Sequence, residues 1–511
     1  MKGVNEMKNQ RAISQAKPAS RTASHRPRAA QPHGERTRLA CRFRRLAENF
    51  VPPISSRGKE GQNGDTRVWA GRPNQHAGRV RSPFLSQRSW TLLAAPLAQV
   101  ITCLLFFIAA FLFIPALVAA DWPTYQHDAQ RSGVTAEALA LPLAPAWIFP
   151  KAAQSITPAW PAEAEFDEYA KGPKLKPRFT FDRFDNVAVV GDRVFVGVAG
   201  AHAVRCLAAT NGQPCWTFFA DGPVRMAPTV AAGRVFFGAD DGAAYCLEAD
   251  TGSLVWKCVA AGSDNRLVPN DGRFVSPYAV RSGVVVADGT AYFGAGLFPS
   301  EGAWLCAVDA GNGEATGSGR WRKRFVNEGS FQGALLLTPE RIVMPGGRSN
   351  PWLFERATGA LSGQFKDKKA MGTFAVLAGN SLLFGPASRG GAQLSEAGFD
   401  FKNVATYANA TAAVVNADRI FLTSDTAVSA LDRVTRKKVW STTAAHPLAL
   451  ILAGETLFAG GDGEVAAFSA KTGEKVWSSP VPGAAGGLAV ANGRLYVSND
   501  RGQVIAFATA P

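Results

Sequence analysis

Paired cysteines are missing from this 511-residue sequence: it has seven cysteines, and no Cys-Cys, CxxC or CxxCH occurs. That excludes a CxxC redox centre, a covalent haem site and the ligand spacings of structural zinc. Histidine is scarce, at six residues, and no Ser/His/Asp layout is legible from their spacing. Long amphipathic helical periods are absent after residue 121, which leaves no helical bundle to be built there. Net charge is also missing from most of the chain. Residues 1–90 hold 19 Lys/Arg and 5 Asp/Glu, whereas residues 91–511 hold 36 and 35. The total of +15 therefore belongs to an arm, and the neutral remainder has no basic groove for nucleic acid.

What is present falls into three parts. Residues 1–90 are rich in Arg, Ser, Gln, Gly and Pro without hydrophobic periodicity, so a disordered basic arm is expected. Binding to an anionic surface, a solvated tail and spurious upstream translation all remain open for it. Residues 91–120 follow Arg88 with an apolar core from Ile101 to Leu117 and small residues at Val118, Ala119 and Ala120. This layout predicts a signal peptide cut before Asp121, or an uncleaved signal anchor given the length of the run. Either way residues 121–511 are exported to the periplasm or cell envelope, and membrane contact is confined to residues 91–120. Cys103 lies inside the apolar run and follows no lipobox-like sequence, so lipid attachment is not expected.

Residues 121–511 repeat. "CLAATNGQPCW" (206–216), "CLEADTGSLVW" (246–256), "ALDRVTRKKVW" (430–440) and "AFSAKTGEKVW" (467–477) share an apolar pair, a turn often ending in Thr-Gly, and a strand reaching Trp. Leaders such as "VAAGRVFFG" and "VANGRLYVSN" precede the copies. The anchors at 206, 246, 307, 353, 392, 430, 467 and 506 give a period near forty with one insertion. The fifth copy, around "AQLSEAGFDF", is placed by spacing alone. Short β-branched and aromatic runs divided by Gly-Asp, Asp-Gly and Asn-Gly predict four short antiparallel strands per copy. The expected fold is all-β: an eight-bladed β-propeller of four-stranded antiparallel blades. The last copy ends before its Trp strand. "LAPAWIFP" (143–150) supplies that strand from the other end, so an N-terminal strand carrying Trp147 is expected to close the ring against "QVIAFA". Trp147, Trp216, Trp256, Trp440 and Trp477 are expected as structural residues that fill the space between blades.

Units of the type seen in "CLEADTGSLVW" and "AFSAKTGEKVW" resemble the repeats of pyrroloquinoline-quinone (PQQ)-type β-propellers, from about Asp121 to Pro511. The opening "DWPTYQHDAQRSG" (121–133) and "WTFFADGPVRMAPTVAAGRVFFGADDG" (216–242) resemble an exported subgroup without a defined role. The resemblance implies a family that spans calcium- and quinone-dependent alcohol dehydrogenases and non-enzymatic propellers such as an outer-membrane assembly scaffold. The dehydrogenase branch implies a vicinal Cys-Cys disulfide and a calcium ligand set. The sequence shows no Cys-Cys pair and no residues that map onto that set.

The reading is therefore an exported binding or scaffold module in the envelope, with neither catalytic residues nor a metal site. The alternative is a PQQ- and calcium-dependent oxidoreductase. A protein or small-molecule ligand, no nucleic acid and a monomer are expected. Polar residues in the connections between blades, Arg225, Asp264, Arg266, Arg273 and Glu301, are candidates at the channel mouth. The plainer reading is loop charge, or an ion pair such as Arg225 with Asp264. Across the first turn the template sets Ala208 opposite Gln213, Leu207 opposite Pro214 and Cys206 opposite Cys215, so an exported chain could form that disulfide. In the second copy it sets Cys246 opposite Val255, and no pairing is expected there.

Overall fold

The structure, a computed structural model, describes residues 120–152, 184–270, 273–326, 329–347, 349–367, 369–386 and 393–510. Two units are distinguished: Met1–Leu92, outside the described residues, and Leu93–Pro511, which holds everything that follows. The expected arm and nearly all of the expected leader thus lie outside the described residues.

The second sheet shows how one copy folds. Thr229–Ala231 and Arg234–Gly238 form a hairpin across Ala232 and Gly233, both at positive φ (49° and 73°). That two-residue turn matches the natural twist of the paired strands. Ala243–Glu248 and Leu254–Val259 complete an antiparallel meander in chain order. Its middle strands are buried on both faces, whereas the last alternates and forms the outer edge.

Six four-stranded sheets of this kind occur among the described residues, spanning 187–219, 229–259, 285–325, 336–364, 374–408 and 412–443. A seventh sheet has eight strands, because the 17-residue strand Lys475–Ala491 turns from one strand quartet into the next. At its far edge Leu143–Phe149 pairs antiparallel with Val504–Thr509, with Trp147 opposite Ala506. A separate hairpin, Val268–Asn270 with Arg273–Val275, stands between the second and third sheets. Val187–Val190, the first strand of the first sheet, touches both Thr229–Ala231 and Lys475–Ala491. A three-residue 3₁₀ turn, Ala199–Ala201, is the helical element described, and no helix among the described residues is long and apolar enough to cross a membrane.

Packing runs between sheets. Phe195, Val204 and Cys206 of the first sheet meet Val235, Phe237 and Tyr245 of the second, and comparable clusters fill the junctions that follow. At the outer edge six of the junctions carry a tryptophan dock. The Nε1 of Trp216 donates to Ala249 O (2.9 Å), Trp256 to Ala310 O (3.0 Å), Trp321 to Arg356 O (3.2 Å) and Trp440 to Ala470 O (3.1 Å). Trp147 donates to Ala209 O (2.9 Å) and Trp477 to Leu143 O (3.0 Å), so the amino-terminal strand takes part in the same series. Five of the rings, all but that of Trp477, lie over a glycine of the facing turn where a side chain would not fit. At Gly252 (φ 71°) a Cβ would stand 2.6 Å from Cδ2 of Trp216.

One local feature departs from the template. A register shift precedes the Trp position in nearly every copy, at Ala146, Cys215, Val255, Ser362, Val404, Val439 and Val476. The extra residue bends the outer strand and aims the following ring at the next sheet. The ladder accordingly pairs Cys206 with Trp216, not with Cys215, and Cys246 with Trp256, not with Val255. The simple opposed register expected for these cysteines is corrected by one bulged residue.

Candidate functional site

In a four-strand meander, the first and third turns lie at one end. The second turn and the link to the next sheet lie at the other. The Trp docks therefore occupy the first end, and the second carries the sequence-predicted polar residues.

The first end is stoppered. Residues 120–137 run from sheet to sheet across the inner strands. Trp122 exchanges backbone hydrogen bonds with Val189 (2.7 and 2.8 Å), Pro123 O accepts from Val230 N (2.8 Å), and Ala129 O from Leu337 N (2.9 Å). Gln130 O accepts from Leu377 N (3.2 Å), and Val134–Thr135 pairs in parallel with Ala449–Ala453. Arg131, 2% exposed, pins this strap: it donates to Leu335 O (3.0 Å), Thr124 Oγ1 (2.8 Å) and Tyr125 O (2.8 Å). Burial pulls its guanidinium down to about 10. Thr124 lies 2.7 Å from Thr229 Oγ1, which donates to Val284 O (2.5 Å), extending the strap's reach to the third sheet. The sequence singled out 121–133 by its resemblance to the opening of an exported subgroup, which says nothing of a strap.

Above the strap lies a cavity of about 260 Å³, with Tyr125 and Gln126 on one side and Phe184, Met226, Thr373, Phe374, Thr411 and Asp425 among its walls. Among the described residues lining it, Asp425 is the charged one.

Beside the cavity mouth, the connections on either side of the second sheet are cross-linked by one carboxylate. Asp240, 1% exposed, accepts from Arg225 Nε (2.7 Å) and from Arg281 Nε and Nη2 (both 2.8 Å). Burial pushes the Asp240 carboxyl up, but Arg281 and Arg225 outweigh it and hold it at about 2. Arg281 also donates to Asn270 Oδ1 (3.1 Å) on the inserted hairpin. Arg273 of that hairpin donates to Nε2 of His202, whose pKa is lowered by burial and by the Arg273 charge.

The predicted residues separate into two groups. Asp264, Arg266 and Glu301 do come together: Arg266 Nη2 reaches Asp264 Oδ2 (3.0 Å), Glu301 Oε2 (2.9 Å) and the Tyr278 hydroxyl (3.2 Å). Arg266 is more than half exposed, so this pairing contributes little stability. Arg225 is not with them. It is buried against Asp240, which sequence reasoning passed over as part of the turn "ADDG". Among the described residues no three His, Cys, Asp or Glu side chains converge as metal ligands.

Meandering four-stranded antiparallel sheets set side by side, blade against blade, define the β-propeller class. Part of the chain is similar to the PQQ-like repeat family within it. The family model described as outer membrane protein assembly factor BamB matches residues 172–314 and 461–511. A curated relative, polyvinylalcohol dehydrogenase of Sphingopyxis sp. (strain 113P3), is 33% identical over 99 residues, which is 17% of this chain and 15% of that protein. The match thus spans less than a sixth of that relative's length. Among solved structures, a europium-containing methanol dehydrogenase has a TM-score of 0.50 at 13% identity, covering 74% of this chain and 89% of its own. BamB from Moraxella catarrhalis has a TM-score of 0.47 at 17% identity, covering 65% and 98%. At such identities the likeness to the dehydrogenase shows the fold alone.

Proposed function

We propose that the protein is an exported, non-catalytic propeller of eight four-stranded blades, closed by the strand Leu143–Phe149, that acts as a binding or scaffold module in the cell envelope. The strand pairing with Val504–Thr509 and the docks of Trp147 and Trp477 support the ring. The observation that carries the functional reading is the stoppered channel. The strap fills one end, and among its described residues the remaining cavity offers one carboxylate and neither Lys nor Arg.

PQQ with calcium is the alternative, and the residues present do not fit it. Calcium takes six to eight oxygen ligands that include carboxylates. A quinone bearing several carboxylates calls for cations, whereas Arg225 and Arg281 are already engaged by Asp240. No redox step is assigned. What the structure offers a partner is the open end, where the inserted hairpin presents Phe274 (73% exposed) and Leu267 (58%) beside Arg266 and Arg273. A rim with apolar residues among charges is the composition of a protein-binding surface.

The test is reconstitution with PQQ and calcium, paired with a photo-crosslinking residue at Phe274 in envelope preparations. The expected outcome is no stoichiometric chromophore, no dye reduction, and one discrete crosslinked adduct. A stoichiometric chromophore with turnover overturns the reading.

A further inference from the structure

Three consecutive junctions at the strap end differ in one residue of the third turn. The ladders fix its position: Arg356 follows Glu355, which faces Arg341, and Arg433 follows Asp432, which faces Arg419. Between them, in the fifth sheet, Phe399 follows Gly398, which faces Ser381. Two of the three positions thus carry a guanidinium, and the middle one carries a ring.

Each guanidinium lies between the first turn of its own sheet and that of the sheet before it. Arg356 donates from Nη2 to Asp288 Oδ2 (2.6 Å) and from Nε to the Tyr292 hydroxyl (3.1 Å), both on the third sheet. Its guanidinium carbon stands 5.1 Å from the centre of the Tyr292 ring, and its Nη1 reaches Thr338 O and Pro339 O of the fourth sheet (both 3.4 Å). Arg433 Nη1 donates to Asn416 O (3.0 Å) of the sixth sheet. On the fifth sheet, a Cβ at Gly379 would stand 3.1 Å from its Nη2. The middle junction has no donor at this position, because Phe399 occupies it. There a groove of about 420 Å³ opens between Thr338 and Glu340 of the fourth sheet and Gly379 and Asn380 of the fifth, with Phe399 in its wall.

The carboxylate at this groove is unspent. Glu340 is exposed, and among the described residues its side chain meets the Thr338 hydroxyl at 3.5 Å and forms no ion pair. The cations nearby are engaged: Arg341, also in the wall, donates to Glu355 and to Ser362 Oγ (3.1 Å), and Arg433 is held by Asn416. We propose that the groove binds a guanidinium, supplied as the arginine side chain of a partner protein, in the place that Arg356 and Arg433 take from within the chain at the flanking junctions. Glu340 accepts from the planar fork, as Asp288 does from Arg356. The Phe399 ring meets the face of the guanidinium, as Tyr292 does. The site belongs to the strap end, so it depends neither on the surface around Phe274 nor on the export reading.

Ligand-observed NMR on the full chain at pH 7 tests this with three probes: acetyl-Gly-Arg-Gly-amide, its lysine counterpart and free arginine. The arginine tripeptide should bind at least about three-fold more tightly than the lysine one, because an ammonium has no planar fork. Glu340→Gln should weaken that binding at least about three-fold. Phe399→Arg supplies the guanidinium from within the chain, as the flanking junctions do, and should weaken it at least about ten-fold. If Phe399→Arg does not fold, Glu340→Gln and the comparison of probes decide. No binding of the arginine tripeptide, equal binding of the lysine one, or binding unchanged by Glu340→Gln overturns the proposal. Tighter binding of free arginine than of the blocked tripeptide overturns the assignment to a partner protein, since the α-amino and carboxylate groups would then be recognised.

Discussion

The ring of Phe401 packs on Gly363 in the position where, three junctions earlier, the ring of Trp216 packs on Gly252, with the partners exchanged between sheets. Gly363 follows the bulged Ser362 and holds the Trp position of its sheet, and Phe401 (φ 64°) sits in the turn where other copies have glycine. A Cβ at Gly363 would stand 2.6 Å from Cζ of Phe401. At both of these junctions one ring meets one bare backbone, and the side that supplies each differs.

This exchange predicts a rescue. Phe401→Gly alone should empty the junction and destabilise the protein by about 3 kcal/mol. Gly363→Trp alone should clash by a similar amount. The double variant should be more stable than either single one, by urea unfolding with the double-mutant cycle evaluated at one pH. Additive losses would mean that the two positions do not share a dock.

At the next junction neither ring nor glycine is used. Ala405 holds the Trp position, and Arg436 (φ 56°) holds the glycine position. Arg436 Nη2 donates to the fully buried Glu396 (2.7 Å), which also accepts from Tyr407 OH (2.6 Å) and Ser381 Oγ (2.7 Å). Burial raises the Glu396 pKa, but Arg436, Tyr407 and Ser381 outweigh it, so the folded value is depressed. That contribution is present above the unfolded carboxylate pKa and is lost as pH falls through the folded one. Arg436→Gly restores the template residue, yet should cost about 3 kcal/mol at pH 7, because a buried carboxylate loses its cation. The deficit should shrink as pH falls, because the variant's uncompensated carboxylate can take up a proton and so shed its buried charge; a pH-independent deficit would show that the charge does not matter.

Arg131 offers a test of the strap itself. Arg131→Met keeps the apolar stem but removes every donor to Leu335 O, Thr124 and Tyr125 O. A loss of about 2–4 kcal/mol is expected, with faster amide exchange at Leu337 and Leu377 measured by mass spectrometry. Unchanged exchange would mean that the strap is held without it.

The repeat made the sheets legible because hairpin turns and buried β-branched strands leave local signals, as in "VAAGRVFFG". The fifth copy was weak for a physical reason: "GFDF" carries its ring in the turn, so the Thr-Gly-to-Trp template finds nothing. Bulges were invisible, since the bulged residue is valine in four copies, an ordinary strand residue, and Ala146, Cys215 or Ser362 in the others. Nor could spacing find Asp240, whose role depends on two connections 56 residues apart, at Arg225 and Arg281. The strap was quoted from sequence, but nothing local says that its carbonyls face inner strands of several sheets.

The thiols of the first sheet are expected to join in exported material. Cys215 occupies the bulge and Cys206 stands across the ladder from it and Trp216, since two residues on a bulged strand oppose one. Both are free in the structure, Cys206 buried and Cys215 exposed. Burial pushes the Cys206 thiol up to about 12, against the pull of Arg193, whose Nη1 lies 3.9 Å from Sγ. Oxidation by an exported disulfide donor should therefore begin at Cys215. Peptide mapping of alkylated, unreduced protein should find Cys206 linked to Cys215 and Cys246 alkylated only after unfolding. Two alkylated thiols in the first sheet would end the idea.

Asp240 provides the sharpest electrostatic test. Its carboxyl, held at about 2 against an ordinary value of 3.8, is depressed in the folded state. The difference corresponds to about 2 kcal/mol of stability, present above pH 4 and lost as pH falls through about 2. Roughly half should be gone by pH 3, where the unfolded carboxyl is mostly protonated and the folded one is not. Asp240→Asn should cost more than this at neutral pH, about 3–5 kcal/mol, because Arg225 and Arg281, with side chains 3% and 5% exposed, lose their shared carboxylate. Urea midpoints of the two proteins should converge by about 1 kcal/mol between pH 7 and pH 3. The inserted hairpin, tied to Arg281 through Asn270, should loosen in the variant. Parallel pH curves would mean that Asp240 is not charged in the folded protein, and the cross-link would then be a neutral hydrogen-bonded one.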